Sequence, residues 1–418
     1  MPTNPATGRP AAETLGGRSS SVNLDLMRRQ NMSAVLRQLY DHGPTSRGRL
    51  AAVTGLTKPV IARLVADLAE RGLVRAGTSV PASGPGRPTT MLHLDGSAVA
   101  LVAAQITTGR VQVRVSDLGR TELSAREHPI GPDDPPEEVF KHLCRLVNEA
   151  CRSTRARGRT VYAVGVALAA IIDHGGRVVS SPSLGWQDVD TTGLLSEHLE
   201  DGSVPVFVDN VARMATLAES RLDPGPASDS TVRLEITTGI GAGLFMNGLL
   251  PRGVGGFLGA IGHIPLAGAT QRCLCGRRGC LEALVGIHAL LRAAAPDLLD
   301  AVRSPRESAL AVAGRAQAGD PRALRGIRDT ARWIGLGSSV VINFLNPERV
   351  VIGGYPTLLS PYMLPVIEAE VDRRVVVPGL GGTSVSMSAL GTEAALLGAA
   401  EAGAQRVLDD PGIVPPSA

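Results

Sequence analysis

The stretch from Ile236 to Glu282, ITTGIGAGLFMNGLLPRGVGGFLGAIGHIPLAGATQRCLCGRRGCLE, constrains this chain more than any other. It opens as a strand that turns through Gly239, Gly241 and Gly243, the form of a backbone loop that holds phosphate. It closes on His263, Cys273, Cys275 and Cys280. One imidazole and three thiolates complete a tetrahedral Zn²⁺ set with no position left for water, so the metal expected here is structural rather than catalytic. Gly276 and Gly279 let the backbone wrap the ion. The plain alternative is a group of reduced thiols beside a histidine.

The five cysteines lie in a chain whose N-terminus shows no apolar secretory core, which argues against a disulfide framework and for a cytoplasmic protein. Cys144 and Cys151 read as ordinary core residues. The longest apolar run, Val161 to Ile172, is too short to cross a bilayer and fits a buried strand or two, so no membrane partner is expected. With 418 residues the chain exceeds a single core and calls for two or three domains. Its net charge of +3 is uneven. Twelve Arg/Lys against five Asp/Glu up to Leu94 give 12 − 5 = +7, which leaves 3 − 7 = −4 for the remainder. A basic module on a mildly acidic body points to a polyanion partner for the first part only.

Residues 1–24, rich in Pro, Gly, Ser and Thr, read as a disordered arm. A helical period begins at Leu26 and places Met32, Val35, Leu36 and Leu39 on one stripe, stopped by Gly43-Pro44. Ser46 caps a second helix with Leu50, Ala51 and Val53 inward. Gly55-Leu56 makes a tight turn. Thr57 then caps a third helix with Pro59 in its first turn and Ile61, Leu64, Val65 and Leu68 buried. Helix, glycine turn, helix is the helix-turn-helix layout, whose second helix offers its N-terminal residues to the major groove of double-stranded DNA. Ser46, Arg47, Thr57, Lys58, Pro59, Val60 and Arg63 are the expected contacts, with Lys58 and Arg63 suited to guanine edges or phosphates and Val60 to a thymine methyl. A ribbon that starts with Gly72-Leu73-Val74-Arg75 is broken by Ser83-Gly84-Pro85-Gly86-Arg87-Pro88 before Met91-Leu92-His93-Leu94, a wing whose Arg87 suits a minor groove. A winged helix-turn-helix domain is therefore expected over 25–94.

From Ala98 onward, strands alternate with helices, the mark of a layered α/β body. The expected strands include two or three between Ala98 and Ile130 with a turn at Leu118-Gly119, then Val161–Ile172, Pro205–Val208, Thr231–Gly243, Arg349–Gly354 and Ser384–Ser388. The expected helices cover Pro135–Arg157, Leu194–Leu199, the stretch after Val211, much of Ile287–Arg332, Pro361–Arg374 and Thr392–Ala404. This divides the body into one lobe over 95–208, a second over 209–390 carrying the thiol cluster, a return of 391–405 onto the first lobe, and a flexible tail over 406–418.

These residues together resemble the ROK family of repressors, open reading frames and sugar kinases. The likeness rests on RRQNMSAVLRQL, SRGRLAAVTGLTKPVIARLVADLAERGLV and SGPGRP in the first part. In the body it rests on TTGIGAGLFMNGLLPRGVGGFLGAIGH followed by CLCGRRGCLE. It spans residues 27–404 and implies a two-lobed actin/hexokinase-like ATPase fold behind the winged helix. It also implies homodimers or dimers of dimers, and it assigns the same four residues to zinc.

The resemblance further implies where kinase chemistry would sit, and there this sequence departs from it. The first phosphate loop, of the form Asp-x-Gly-Gly-Thr, becomes Gln105-Ile106-Thr107-Thr108-Gly109. The catalytic Asp after Asn210 becomes Val211. Of the sugar-holding Glu, His and Glu, the first becomes Ala260 while His263 and Glu282 remain, and an Asn in a nearby loop becomes Ser183. Without a carboxylate to take the sugar hydroxyl's proton, phosphoryl transfer is not expected, and no catalytic residue is assigned. The expectation is a carbohydrate-responsive repressor with an inactive kinase-like body, its effector held near Asn210, Gly239, Gly241, His263 and Glu282. The alternatives are a sugar kinase that also regulates, and a regulator without a ligand.

Overall fold

A computed structural model of the chain describes residues 18–80, 89–223, 230–266, 268–299, 304–376 and 382–416. It divides into two compact units, Met1–Asp95 with Arg406–Ala418, and Gly96–Gln405.

In the first unit, α1 (Arg18–His42) precedes β1 (Thr45–Ser46), α2 (Arg47–Thr54), α3 (Lys58–Glu70), β2 (Val74–Val80) and β3 (Thr89–Leu94). Helix α1 starts inside the stretch expected to be a disordered arm, because no Gly or Pro interrupts the chain from Arg18 to His42. Its apolar stripe is the expected one: Met32, Val35, Leu36 and Leu39 are buried. Ser46 caps α2 by accepting from the Arg49 N–H at 3.2 Å, and Gly55 ends it at φ 72°, a left-handed turn that a side chain would strain. Only Leu50 of this short helix is buried. Val53, expected to face inward, is 41% exposed, since eight residues crossing the unit leave room for one inward anchor. Helix α3 buries Ile61, Leu64, Val65 and Leu68 as expected. It also buries Asp67, which receives Arg28 of α1 at 3.0 Å.

The strands form an antiparallel sheet in the order β1-β3-β2, a ribbon beside the helices. The tip of the wing, with Arg87, lies outside the described residues. The stretch read as a flexible tail is instead part of this unit. Asp410 pairs with Arg29 at 2.9 Å and Asp409 with Arg37, while Arg71 donates to the carbonyls of Gly412 and Val414. Val407, Leu408 and Val414 are buried. Such pairings between distant segments leave no periodic trace in a short tail.

In the second unit, β4 (Val99–Thr107), β5 (Arg110–Asp117) and β6 (Glu122–Pro129) form an antiparallel meander. Helix α4 (Pro136–Arg155) leads to β7 (Thr160–Leu168), a hairpin layer of β8 (Ile171–Ile172), β9 (Val178–Ser181) and β10 (Trp186–Val189), then α5 (Thr191–His198), β11 (Val206–Asn210) and α6 (Val211–Leu222). The first lobe's sheet runs β11-β7-β4-β5-β6, with β4, β7 and β11 parallel. Both faces of β4 are covered, so it reads as a continuous apolar run. Helix α5 begins earlier than expected because Asp190 caps it at the Gly193 N–H, 3.1 Å. The β9–β10 hairpin was missed, since its strands are too short for a period.

The second lobe comprises β12 (Ser230–Ile236), β13 (Ile240–Met246), α7 (Glu282–Val285), α8 (Ile287–Ala294), α9 (Pro305–Gln317), α10 (Pro321–Leu345), β14 (Arg349–Gly354), α11 (Ser360–Arg374) and β15 (Ser384–Met387). Its sheet order is β13-β12-β14-β15. Helix α12 (Ala394–Asp409) packs Ala394, Ala395, Leu396 and Ala399 against Ala103, Ala167 and Met214 of the first lobe's side. Among the described residues no helix is long and apolar enough to cross a membrane.

Candidate functional sites: a cleft, a thiol cluster and a helix face

The cleft of the second unit is built on the ends of β11, β12 and β13. Asn210 ends β11 and caps α6: its Oδ1 accepts from the Ala212 N–H at 2.7 Å, and its Nδ2 donates to the Ala170 carbonyl. This satisfies an otherwise orphaned helix N–H and ties the wall of the cleft to the helix. Asn210, Gly239, Gly241, His263 and Glu282, the five expected effector residues, all line one cavity, together with Ser183 and Ala260.

Val211 is the first residue of α6, is buried, and joins the apolar cluster of Ala103, Ala167 and Ala395. Its isopropyl side chain carries no group that could accept a proton. Asp209 does not supply one. Its carboxylate takes Arg213 at 3.0 and 3.1 Å and Arg252 at 2.9 Å, and Arg213 further donates to the carbonyls of Leu250 and Pro251. Two guanidiniums hold that carboxylate in a salt link that braces the loop after β13.

Two glycines of the β12–β13 turn and strand have a local packing task. A Cβ on Gly239 would stand 2.3 Å from Glu282 Oε2, and one on Gly243 would stand 2.0 Å from Thr216 Oγ1 of α6. Glu282 lies over the glycine loop, accepting from the Ile240 N–H at 3.4 Å. The facing loop is Thr107-Thr108-Gly109, and Thr238 Oγ1 donates to Thr108 Oγ1 at 3.2 Å across the gap.

Sequence reading missed the charges beneath the cleft. Arg233, fully buried, donates to Glu235 Oε2 at 2.7 and 2.9 Å and to Glu219, which also accepts from Ser388 Oγ at 2.7 Å. Burial pushes the Glu235 carboxyl above its ordinary value, and Arg233 opposes that rise. Gly353 leaves room for this guanidinium, which a Cβ would approach to 2.1 Å. An Arg and a Glu two residues apart in an otherwise apolar strand were the available signal.

The donor atoms of His263, Cys273, Cys275 and Cys280 all lie within 4.8 Å of one another. Cys275 and Cys280 sulfurs are 3.8 Å apart, and Cys273 Sγ is 3.8 Å from His263 Nδ1. Zn–S bonds of 2.3 Å at tetrahedral angles put sulfurs about 3.8 Å apart, so the residues fit the ion. Gly276 and Gly279, at φ 87° and 74°, turn the backbone around the cluster. Cys144 and Cys151 stand apart, buried on α4, and burial pushes the Cys144 thiol up to about 12, so it is inert.

On the first unit, Arg47, Thr57, Lys58, Pro59, Val60 and Arg63 are exposed, and Ser46 is half-buried as the α2 cap. Thr57 holds the N-cap place of α3 without a side-chain cap bond, which leaves its hydroxyl available. Arg49 and Val53 are likewise exposed on α2.

The ROK family pattern matches residues 105–405, and a MarR family pattern matches residues 31–83. The xylose repressor of Bacillus spizizenii is 26% identical over 385 residues, covering 92% of this chain and 97% of the relative. The DNA-binding transcriptional dual regulator NagC of Escherichia coli K12 is 25% identical over 368 residues, covering 87% and 89%. The crystal structure of a ROK family transcriptional regulator described as a homologue of the E. coli MLC protein superposes with a TM-score of 0.74 at 23% identity, covering 92% of this chain and 98% of that one. The match covers both lobes of the body and its thiol cluster: the chain belongs to the ROK family.

Proposed function

We propose that this chain is a sequence-specific DNA-binding transcriptional repressor of carbohydrate-related genes, with a kinase-like body that senses and does not phosphorylate. The observation that carries the reading is Val211. It sits buried at the start of α6 between the two loops where a kinase needs a carboxylate, while Asp209 is held by Arg213 and Arg252. The winged helix supplies the DNA-binding element, and both repressor relatives align along most of their length. The effector is a sugar or sugar derivative in the cavity lined by Asn210, His263 and Glu282. A structural Zn²⁺ on His263, Cys273, Cys275 and Cys280 holds the wall that carries Glu282. The protein works in the cytoplasm as a homodimer or dimer of dimers on a pseudo-palindromic operator.

The competing reading is a sugar kinase that also regulates. Its support is the retained glycines, but Gly239, Gly243 and Gly353 each admit a side chain of this protein. A coupled ADP-release assay over hexoses and amino sugars decides between them. The expected result is no sugar-dependent turnover; sustained turnover would overturn the proposal.

A further inference from the structure

Beneath the cleft, one positive charge serves two negative ones. Arg233, Glu219 and Glu235 are 0%, 0% and 5% exposed, and no other cation pairs with the two carboxylates among the described residues. Glu235 lines the cavity of Asn210, His263 and Glu282, and also a second cavity beside it that Arg110 and Arg306 help to form. We propose that Glu235 holds a proton at neutral pH. The buried group is then electrically neutral, and Glu235 meets the cleft as an O–H donor instead of an anion.

Two carboxylates and one guanidinium leave an excess negative charge in the core, and a buried charge without a partner is relieved by taking up a proton. The neighbouring strands bring no countercharge: Glu235 stands opposite Gly241 on β13 and Gly353 on β14. The ionisable residues that share its two cavities are engaged elsewhere or unconnected to it. Arg213 is bound to Asp209, Arg110 lies 3.7 Å from Glu127, and Tyr355 donates to the Val285 carbonyl. Among the described residues no hydrogen bond or ion pair joins His263, Glu282 or Arg306 to Glu235.

The donors that each carboxylate receives place the proton on Glu235. Glu219 Oε2 accepts from Arg233 Nη1 and from Ser388 Oγ at 2.7 Å, two donors from separate segments that favour its charged form. Glu219 Oε1 is buried without a partner among the described residues, so a proton there would find no acceptor. Glu235 accepts from Arg233 Nε at 2.9 Å and Nη2 at 2.7 Å. Both bonds end on Oε2, which leaves Oε1 to carry the proton beside the open cavities. Burial raises the Glu235 carboxyl above its ordinary value; Arg233 opposes the rise and Glu219 adds to it.

Urea denaturation of the full chain between about pH 5 and pH 9 tests this on the wild type, Glu235→Gln and Glu219→Gln. The folded value lies above the unfolded one, which is about 4.3 for a glutamate. Stability tied to this proton is therefore complete below about pH 4.3 and is lost as pH rises toward the folded value. Over that interval the wild-type folding constant should fall about tenfold per pH unit relative to Glu235→Gln, whose amide does not titrate. At the acid end Glu235→Gln should match the wild type and Glu219→Gln should be the less stable variant. Infrared spectra of the wild type, which need no variant to fold, should show the carbonyl band of a protonated carboxyl at neutral pH. Parallel profiles for wild type and Glu235→Gln, the reverse order of the two variants at the acid end, or wild-type spectra without that band would overturn the proposal. These measurements use neither DNA nor sugar, so the sensing reading is untouched by their outcome.

Discussion

Val211 and Asp209 show how far side-chain identity alone carries the account. Their order in the chain places one carboxylate two residues before the position that needs it. Only the fold shows that this carboxylate is spoken for by Arg213 and Arg252. Arg233 was only partly legible for a related reason: Glu235 follows two residues on in the same strand, but Glu219 is brought in from α6 by the fold. Removing one partner of a fully buried pair leaves a stranded charge. Arg233→Met, which strands Glu219 and Glu235, should therefore destabilise the body by about 3–5 kcal/mol, read as a lower denaturant midpoint; an unchanged midpoint would show that water reaches the network. On the DNA-binding face the exposed residues separate by role. Arg63→Ala is expected to cost about 1–3 kcal/mol at the preferred site and relax discrimination between sites. Arg47→Ala should weaken all duplexes alike. Binding isotherms on a preferred and a scrambled duplex check both.

Helices with long apolar stripes were readable in outline, whereas their ends were set by features outside the stripe. Helix α1 runs back to Arg18 because nothing stops it, and α10 runs on to Leu345 until Asn346 turns left-handed at φ 45°. Short elements such as β8, β9 and β10 are defined by their pairing, because two to four residues are too few to show a period. The thiol hairpin is the opposite case: its ligands, their spacing and the turning glycines were all visible, and the fold brings the four donors together. Purified protein should carry about one zinc per chain, and Cys280→Ser should lose it and unfold cooperatively at lower denaturant, since metal binding is coupled to local folding. Metal analysis checks the first, and protein without zinc would remove the structural role. Packing of α6 against β13 depends on Gly243, where a Cβ would meet Thr216 Oγ1 at 2.0 Å and the Ala212 carbonyl at 2.9 Å. Gly243→Ala should cost about 1–3 kcal/mol from overpacking, again read from the denaturant midpoint.

The chain as a whole divides into a basic unit and a mildly acidic one, a division its charge had marked. What charge did not mark is that the last residues belong with the first. Ion pairs of Asp409 and Asp410 with Arg37 and Arg29 are solvent-exposed and fix position more than they stabilise. The buried Val407, Leu408 and Val414 contribute more, at about 1.5–3 kcal/mol for each fully buried side chain. A chain ending at Gln405 should therefore melt earlier and bind duplex DNA more weakly, which a truncation tested by calorimetry and DNA titration would show. The central claim is that this protein acts by holding DNA. Fluorescence anisotropy with a duplex from the gene's own upstream region, titrated from about 50 to 200 mM salt, tests it most directly. About six phosphate contacts predict a loss of affinity on the order of 10³ across that range, with a scrambled duplex bound more weakly throughout. A protein that ignores both duplexes at about 100 mM salt, where such binding is ordinarily measurable, would contradict the claim.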